Sequence, residues 1–135
     1  MFSGCFVYGV DEKNRVSMPS KFRKQFDGRF VITKGPDGCL WALSKNQWRI
    51  VLGKAKESVA LQRFLVASAE EHEPTEKGPC LIADDLRRHA DIKPGAQVAI
   101  VGMGNRVEIW SAQRWERICA ELSLQRVRQE LPELF

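Results

Sequence analysis

The chain has 135 residues, 44% of them hydrophobic, and a formal net charge of +4, a composition that supports one or two small buried cores in a soluble globular protein. The amino-terminal "MFSGCFVYGVDEK" has no basic leader, and no later run approaches the roughly 18 apolar residues of a membrane span, so a cytoplasmic protein is expected. The four cysteines, Cys5, Cys39, Cys80 and Cys119, form no C-x-x-C pair, which argues against a zinc ribbon or a thioredoxin-type site. The net charge hides an asymmetry: residues 1–63 hold 12 Lys and Arg against 5 Asp and Glu, and residues 64–135 hold 9 against 12. A basic half fits either a polyanion-binding surface or a solvated face, and spacing has to separate the two.

In chain order, "CFVYGV" and "RVSMP" are short apolar runs separated by Asp11 to Asn14, a polar turn that predicts a hairpin. Pro19 halts the second strand, and Ser20 is placed to cap a short helix. Phe22 and Phe26 share one face of that helix, with Lys21, Arg23 and Lys24 on its flanks. "RFVITK", the turn "GPDG" and "CLWAL" predict a second hairpin. Ser44 with Gln47 reads as a capping box opening the helix "SKNQWRIVLGKAK". The apolar pattern "SVALQRFLVASA" predicts a connecting helix. Beyond it the order replays, with Asp84 or Asp85 as the cap, "IKPG" as the turn before "AQVAIVG", and "GMGN" between strands. From Ser111 to about Leu131 a last helix is expected, with Trp115, Ile118, Leu122 and Leu124 toward a core.

The replay is a sequence repeat. "ITKGPDGCLWALSKNQW" aligns with "IVGMGNRVEIWSAQRW", placing Gly35 on Gly102, Leu43 on Trp110, Ser44 on Ser111 and Trp48 on Trp115. Upstream, "VDEKNRVSMPSKFRK" aligns with "PTEKGPCLIADDLRR", placing Glu12 and Lys13 on Glu76 and Lys77, Phe22 on Leu86, and Arg23 and Lys24 on Arg87 and Arg88. The expected organisation is a first unit at 1–57, a connecting helix at 58–70 and a second unit at 71–135, mainly β with short helices in an α+β class.

The basic group lies in the first unit. If Val16 and Met18 face the core, Arg15 and Ser17 face out, and Arg15 stands beside Lys13 near Lys21, Arg23 and Lys24. Arg15 is then the residue best suited to a bidentate base or phosphate contact, with the lysines spaced for phosphates. The alternative is that Asp11 and Arg15 merely pair across the turn while the lysines solvate the surface. Other constellations carry less. "GMGN" precedes a strand and lacks the helix start of a phosphate loop. His72, His89 and Cys80 have no metal-ligand spacing. Asp84 and Asp85 are adjacent and do not converge on one substrate, and Trp41, Trp48, Trp110 and Trp115 read as core rather than as base-stacking platforms. No activated nucleophile is recognisable, so neither an enzyme nor a cofactor is expected.

The segments "DEKNRVSMPSKFR", with Asp11 and Arg15 as a D-x-x-x-R motif, "TKGPDGCLWALS", and "VGMGNRVEIWS" followed by Trp115 are similar to the motifs of the MraZ family, in the same order and over essentially the whole chain. The resemblance implies two AbrB-like swapped-hairpin units interleaved into a small β-barrel. It further implies a transcriptional regulator of the bacterial division and cell wall gene cluster, binding double-stranded DNA at repeated elements upstream of its own gene. A ring-shaped homo-oligomer, associated with the nucleoid and not with a membrane, goes with that reading. The implied DNA contacts are Arg15, Lys13, Lys21, Arg23 and Lys24, with Asp11 shaping the turn and Arg87 and Arg88 as secondary contacts. The second unit departs from the pattern: Thr75, Pro79 and Ile82-Ala83 stand where a second D-x-x-x-R and an Ile-Pro are expected. A protein-interaction module, like the antitoxins that share the swapped-hairpin fold and hold a partner through a C-terminal segment, is the alternative.

Overall fold

A computed structural model describes residues 1–73 and 79–134. The first repeat contains β1 (Cys5–Gly9), β2 (Arg15–Ser17), α1 (Ser20–Phe26), β3 (Phe30–Lys34), β4 (Leu40–Ser44) and α2 (Lys45–Ala55). A short helix α3 (Val59–Leu61) runs into a π turn at Gln62–Val66. The second repeat follows with β5 (Glu70–His72), β6 (Pro79–Leu81), α4 (Asp84–Ala90), β7 (Gln97–Gly102), β8 (Val107–Ser111), α5 (Ala112–Ala120) and α6 (Leu124–Glu130), and a 3-10 turn covers Leu131–Leu134. Among the described residues no helix is long and apolar enough to cross a membrane.

Two hairpins form where glycine turn chemistry predicts them. Between β3 and β4 the Gly35 N–H donates to Cys39 O at 2.8 Å and Gly38 takes φ 88°. Between β7 and β8 the Met103 N–H donates to Arg106 O at 2.8 Å and Gly104 takes φ 85°. Positive φ is cheap only without a Cβ. The ladders correct one detail of the alignment: Lys34 faces Leu40 as Gly102 faces Val107, so Gly102 matches Lys34 rather than Gly35. A Cβ on Gly102 would run into the Phe2 and Ser3 backbone, so the glycine there lets the amino-terminal segment lie close against the end of β7.

The predicted β1–β2 hairpin does not form. The turn exists, with the Asn14 N–H donating to Asp11 O at 3.1 Å and the Asp11 N–H to Arg15 O at 3.1 Å, but the strands then part. β1 pairs antiparallel with β7, β5 with β3, β2 with β6, and β4 with β8. The first strand of each repeat thus lies on the third strand of the other, and like strands pair in the middle. The registers centre on Val16 opposite Cys80 and Trp41 opposite Glu108, pairs of repeat-equivalent residues through which a pseudo-two-fold axis passes.

The result is a six-stranded antiparallel sheet, β1-β7-β8-β4-β3-β5, beside the two-stranded ribbon β2-β6. The class is mixed α+β, with six α-helices among the described residues. Among the described residues the closed barrel is not observed: β1 and β5 are edge strands, and β5 is a three-residue strand carrying Glu70 and Glu71, the short, charged kind of edge that resists further pairing.

One face of the sheet meets α1, α4 and the ribbon in a core that includes Val16, Phe22, Phe26, Phe30, Leu86 and Ile100. Phe26 stacks on Phe30 at 4.5 Å, and Phe6 meets Phe22 edge-on at 5.3 Å. Burying each such ring is worth about 1.5–3 kcal/mol. On the other face Cys39, Ala99, Val101 and Trp110 pack with Trp41 and Trp115.

Helix starts divide into two kinds. Ser44 Oγ accepts from the Gln47 N–H at 3.2 Å, as expected, and Ser111 Oγ does the same for Arg114 at 3.2 Å. Ser20, Asp84 and Asp85 do not cap. The N-caps of α1 and α4 are Pro19 and Ala83, equivalent residues in extended backbone with no side-chain bond, and the acidic pair sits in the first turn, where it complements the helix dipole. The single helix expected after Ser111 is broken. Ser123 Oγ accepts from the Arg126 N–H at 3.3 Å and starts α6 anew. Of the side chains expected toward a core there, Trp115 packs on Trp110 at 6.1 Å, whereas Ile118, Leu122 and Leu124 are exposed.

Candidate nucleic-acid interface

The turn before β2 is organised by one carboxylate. Asp11 Oδ1 accepts from the Lys13 N–H at 2.9 Å and the Arg15 N–H at 2.8 Å, while Oδ2 accepts from Arg15 Nε at 2.7 Å. Asn14 completes the turn at φ 61°, in the left-handed region that asparagine tolerates, and its carbonyl accepts from the Ile82 N–H at 3.3 Å. These N–H groups, that of Arg15 foremost, hold the Asp11 carboxyl below its ordinary value of 3.8. The carboxylate is therefore ionised at neutral pH and fixes the guanidinium through Nε. The two terminal nitrogens of Arg15 have no partner among the described residues, and they form the flat two-pronged edge that matches paired acceptors.

The β2–β6 ribbon presents this edge. Val16 and Cys80 point inward and are buried, whereas Arg15, Ser17, Pro79 and Leu81 point outward and are exposed. The Asp11–Arg15 pairing and an outward guanidinium edge are thus both present in one geometry.

The other basic residues part company. Lys13 and Lys24 are exposed. Lys21 Nζ donates to Ser3 O at 2.9 Å and to Ser3 Oγ at 3.3 Å, fastening the amino-terminal segment to α1. Arg23 is half-buried beside Cys80. In the second repeat Arg87 is mostly buried and pairs with Asp84, one turn away on α4, while Arg88 is exposed. Thr75, Glu76 and Lys77 lie outside the described residues. Burial pushes the Cys80 thiol up to about 11, against the pull of Arg23, and the Cys39 thiol up to about 12, so both remain protonated and unsuited to nucleophilic chemistry.

Sequence reasoning missed a polar group on the opposite face of the sheet. Glu108, with only 4% of its side chain exposed, accepts from Arg106 Nε at 3.1 Å, Arg106 Nη2 at 2.9 Å and Trp110 Nε1 at 3.1 Å. Arg106 also lies 5.1 Å over the Trp41 ring. The strand alternation around Glu108 in "RVEIW" reads as an outward charge on a half-buried strand, and only the Trp41 opposite it across the pseudo-axis signals a covered face. Arg114 was missed too: its Nη1 donates to Gly38 O at 2.9 Å and His89 O at 3.0 Å.

Comparison with known proteins places the chain in a family. A family described as "MraZ protein, putative antitoxin-like" matches residues 1–63 and 65–131, one match per repeat. The "Transcriptional regulator MraZ" of Caldicellulosiruptor saccharolyticus is 36% identical over 143 residues, covering 99% of each chain. Its namesake in Pediococcus pentosaceus is 39% identical over 128 residues, covering 90% of this chain and 88% of the relative, and that of Clostridium tetani is 34% identical over 142 residues, covering 99% of each. The names are those of regulators and not of enzymes. Matched in both repeats and aligned with these relatives almost end to end, the chain belongs to the MraZ family.

Proposed function

We propose that this chain is a transcriptional regulator that binds specific double-stranded DNA, at repeated elements upstream of its own gene in the division and cell wall gene cluster. The observation that carries the proposal is the Asp11 clamp, which takes only Nε of the Arg15 guanidinium and leaves the two-pronged edge on an exposed ribbon. A two-stranded ribbon fits the major groove, where a guanine offers two acceptors to such an edge. Lys13 and Lys24 contact flanking phosphates. Lys21 and Arg23 brace the amino-terminal segment and the ribbon from behind, and Arg88 serves as a secondary phosphate contact.

On this reading the repeats at 1–57 and 71–135, joined through 58–70, are two AbrB-like swapped-hairpin units. Only the first carries an intact reading turn. A few phosphate contacts per protomer bind weakly at physiological salt, so several copies act together through effective concentration, in a ring-shaped homo-oligomer on the nucleoid. Footprinting on the DNA upstream of the gene is expected to protect spaced repeats; equal affinity for that DNA and a scrambled sequence would end the proposal. Light scattering is expected to give an assembly, and a monomer that binds tightly at micromolar concentration would contradict the multivalent part.

A second reading rests on the carboxyl-terminal helices, where Leu122, Leu124 and Leu134 are 63%, 64% and 70% exposed. An apolar surface of that kind suits a protein partner, as in an antitoxin. A stoichiometric partner that co-purifies with the full chain and is lost on removal of residues 116–135 would favour it.

A further inference from the structure

Resting on the DNA-binding reading, we infer that Leu81 is a second base-reading residue, which packs on the 5-methyl group of a thymine next to the base pair contacted by Arg15. Single exposed leucines are ordinary on protein surfaces, and Leu81 is set apart by its position. Leu81 is 61% exposed, while Cys80 and Ile82 on either side of it are 7% and 1% exposed. It stands directly opposite Arg15 in the β2–β6 register, on the same outward face. Directly opposed side chains in an antiparallel pair have Cβ atoms about 4.5–5.5 Å apart, and successive bases on a strand are spaced about 3.4 Å. Two side chains so placed address the same or neighbouring base pairs.

The chemistry of the groove then names the ligand. In the major groove the apolar group on a base edge is the thymine methyl, and the acceptor pair suited to arginine belongs to guanine. An aliphatic side chain beside an arginine fork has one base-edge feature to match. The cations at Lys13 and Arg15 bring the polyanion to this face, which selects DNA over an apolar protein as the occupant.

The pseudo-symmetry sharpens the inference. The repeat-equivalent of Arg15 is Pro79, and that of Leu81 is Ser17, which face each other at the other end of the ribbon. A ribbon with two-fold backbone pairing therefore carries its arginine and its leucine at one end only, and each protomer reads an asymmetric element with the guanine and thymine close together.

The test uses the full chain and the fragment protected in the upstream footprint, synthesised with thymine or with uracil throughout, which removes every 5-methyl group. Wild type is expected to bind the uracil fragment about fourfold more weakly per protomer engaged, the loss of one buried methyl. Leu81→Ala should lose a similar factor on the thymine fragment and show no further loss on uracil. Leu81→Met, which keeps an apolar reach, should retain the preference. Circular dichroism is expected to show both variants folded, since the side chain is exposed. If wild type does not distinguish the two fragments, or if Leu81→Ala keeps the full preference, the inference is overturned while the DNA-binding reading stands. If Arg15→Ala binds the thymine fragment as wild type does, the reading itself fails and the inference with it.

Discussion

At the turn before β2, Asp11 holds the Arg15 guanidinium by one nitrogen and leaves the rest of it facing outward; at the equivalent place in the second repeat stands Pro79. Three arginines of that second repeat are held within the chain instead: Arg87 by Asp84, Arg106 by the buried Glu108, and Arg114 by the carbonyls of Gly38 and His89. Yet the backbones of the two repeats pair in matching registers about Val16–Cys80 and Trp41–Glu108. A pseudo-symmetric fold needs equivalent apolar faces and strand registers, which cooperate across the core. It does not need equivalent charges, because an exposed side chain away from the core changes stability by only about 0.5 kcal/mol. The second repeat is thus free to keep the architecture and give three of its arginines to bonding within the chain.

The comparison breaks first at Arg15. Arg15→Ala should fold as wild type, yet lose specific binding almost entirely, since a bidentate arginine–guanine contact is worth roughly 1–3 kcal/mol and an assembly repeats the loss at each occupied site. Arg128→Ala removes the same charge from the exposed face of α6 and is the matched control. Equal losses in the two isotherms would reduce the site to net charge.

Arg106→Ala should do the reverse, costing stability before binding. It strips two donors from a glutamate that is 4% exposed, and removing one partner of a buried ion pair costs about 3–5 kcal/mol. Trp110 Nε1 still donates to Glu108 and Arg106 is itself 27% exposed, which places the expectation near the lower figure. Urea denaturation measures it, and a midpoint unchanged from wild type would show that Glu108 is solvated and the inward set of arginines is not structural.

What the residue pattern reveals, and what it hides, follows the same division. Local chemistry was readable: the glycine turns, the Ser44 cap and the Asp11 turn all depend on residues a few positions apart, and the repeat shows as the same local signals recurring in the same order. Partner choice was not. A polar turn at Asp11–Asn14 between two apolar runs signals a hairpin, and nothing in alternation says that β1 will instead lie on β7, since periodicity specifies which face is buried and not by what. Arg23 was hidden for a related reason. On an isolated helix it flanks the apolar stripe of Phe22 and Phe26, whereas in the fold it is half-buried and has Cys80 of the other repeat beside it. In the candidate site, the Asp11–Arg15 spacing was visible in the sequence, but Leu81 became a neighbour of Arg15 only through the inter-repeat ribbon.

A smaller effect separates two lysines of α1. Lys24 is exposed, so Lys24→Ala should weaken binding to specific and random DNA alike and flatten the salt dependence by about one ion per protomer engaged. Lys21 is bonded to Ser3, so Lys21→Ala should leave the salt slope nearly unchanged and instead loosen the amino-terminal segment, visible as faster hydrogen exchange at Phe2 and Gly104, whose N–H groups bond each other's carbonyls. Identical salt slopes for the two variants would remove the distinction.

The last comparison lies at the sheet edges, where Tyr8 on β1 faces Val98 and its equivalent His72 on β5 faces Phe30. His72 is stacked on Phe30 at 5.7 Å and is only 13% exposed at its side chain. Burial lowers its pKa from the ordinary 6.5, outweighing the attraction of Glu70, whose Oε2 lies 3.5 Å away. The unfolded chain therefore takes up a proton at His72 before the folded chain does. The stability that the neutral ring contributes is complete above pH 6.5 and is lost as pH falls from there through the lower folded value. His72→Tyr puts at this edge the residue already present at the other, with a ring that does not titrate in this range. Urea midpoints at pH 7.5 and 5.5 should differ more for wild type than for His72→Tyr, with the wild type less stable at the lower pH. If the variant keeps the same pH dependence, the loss belongs to other groups, and the two sheet edges differ in composition without differing in their response to protons.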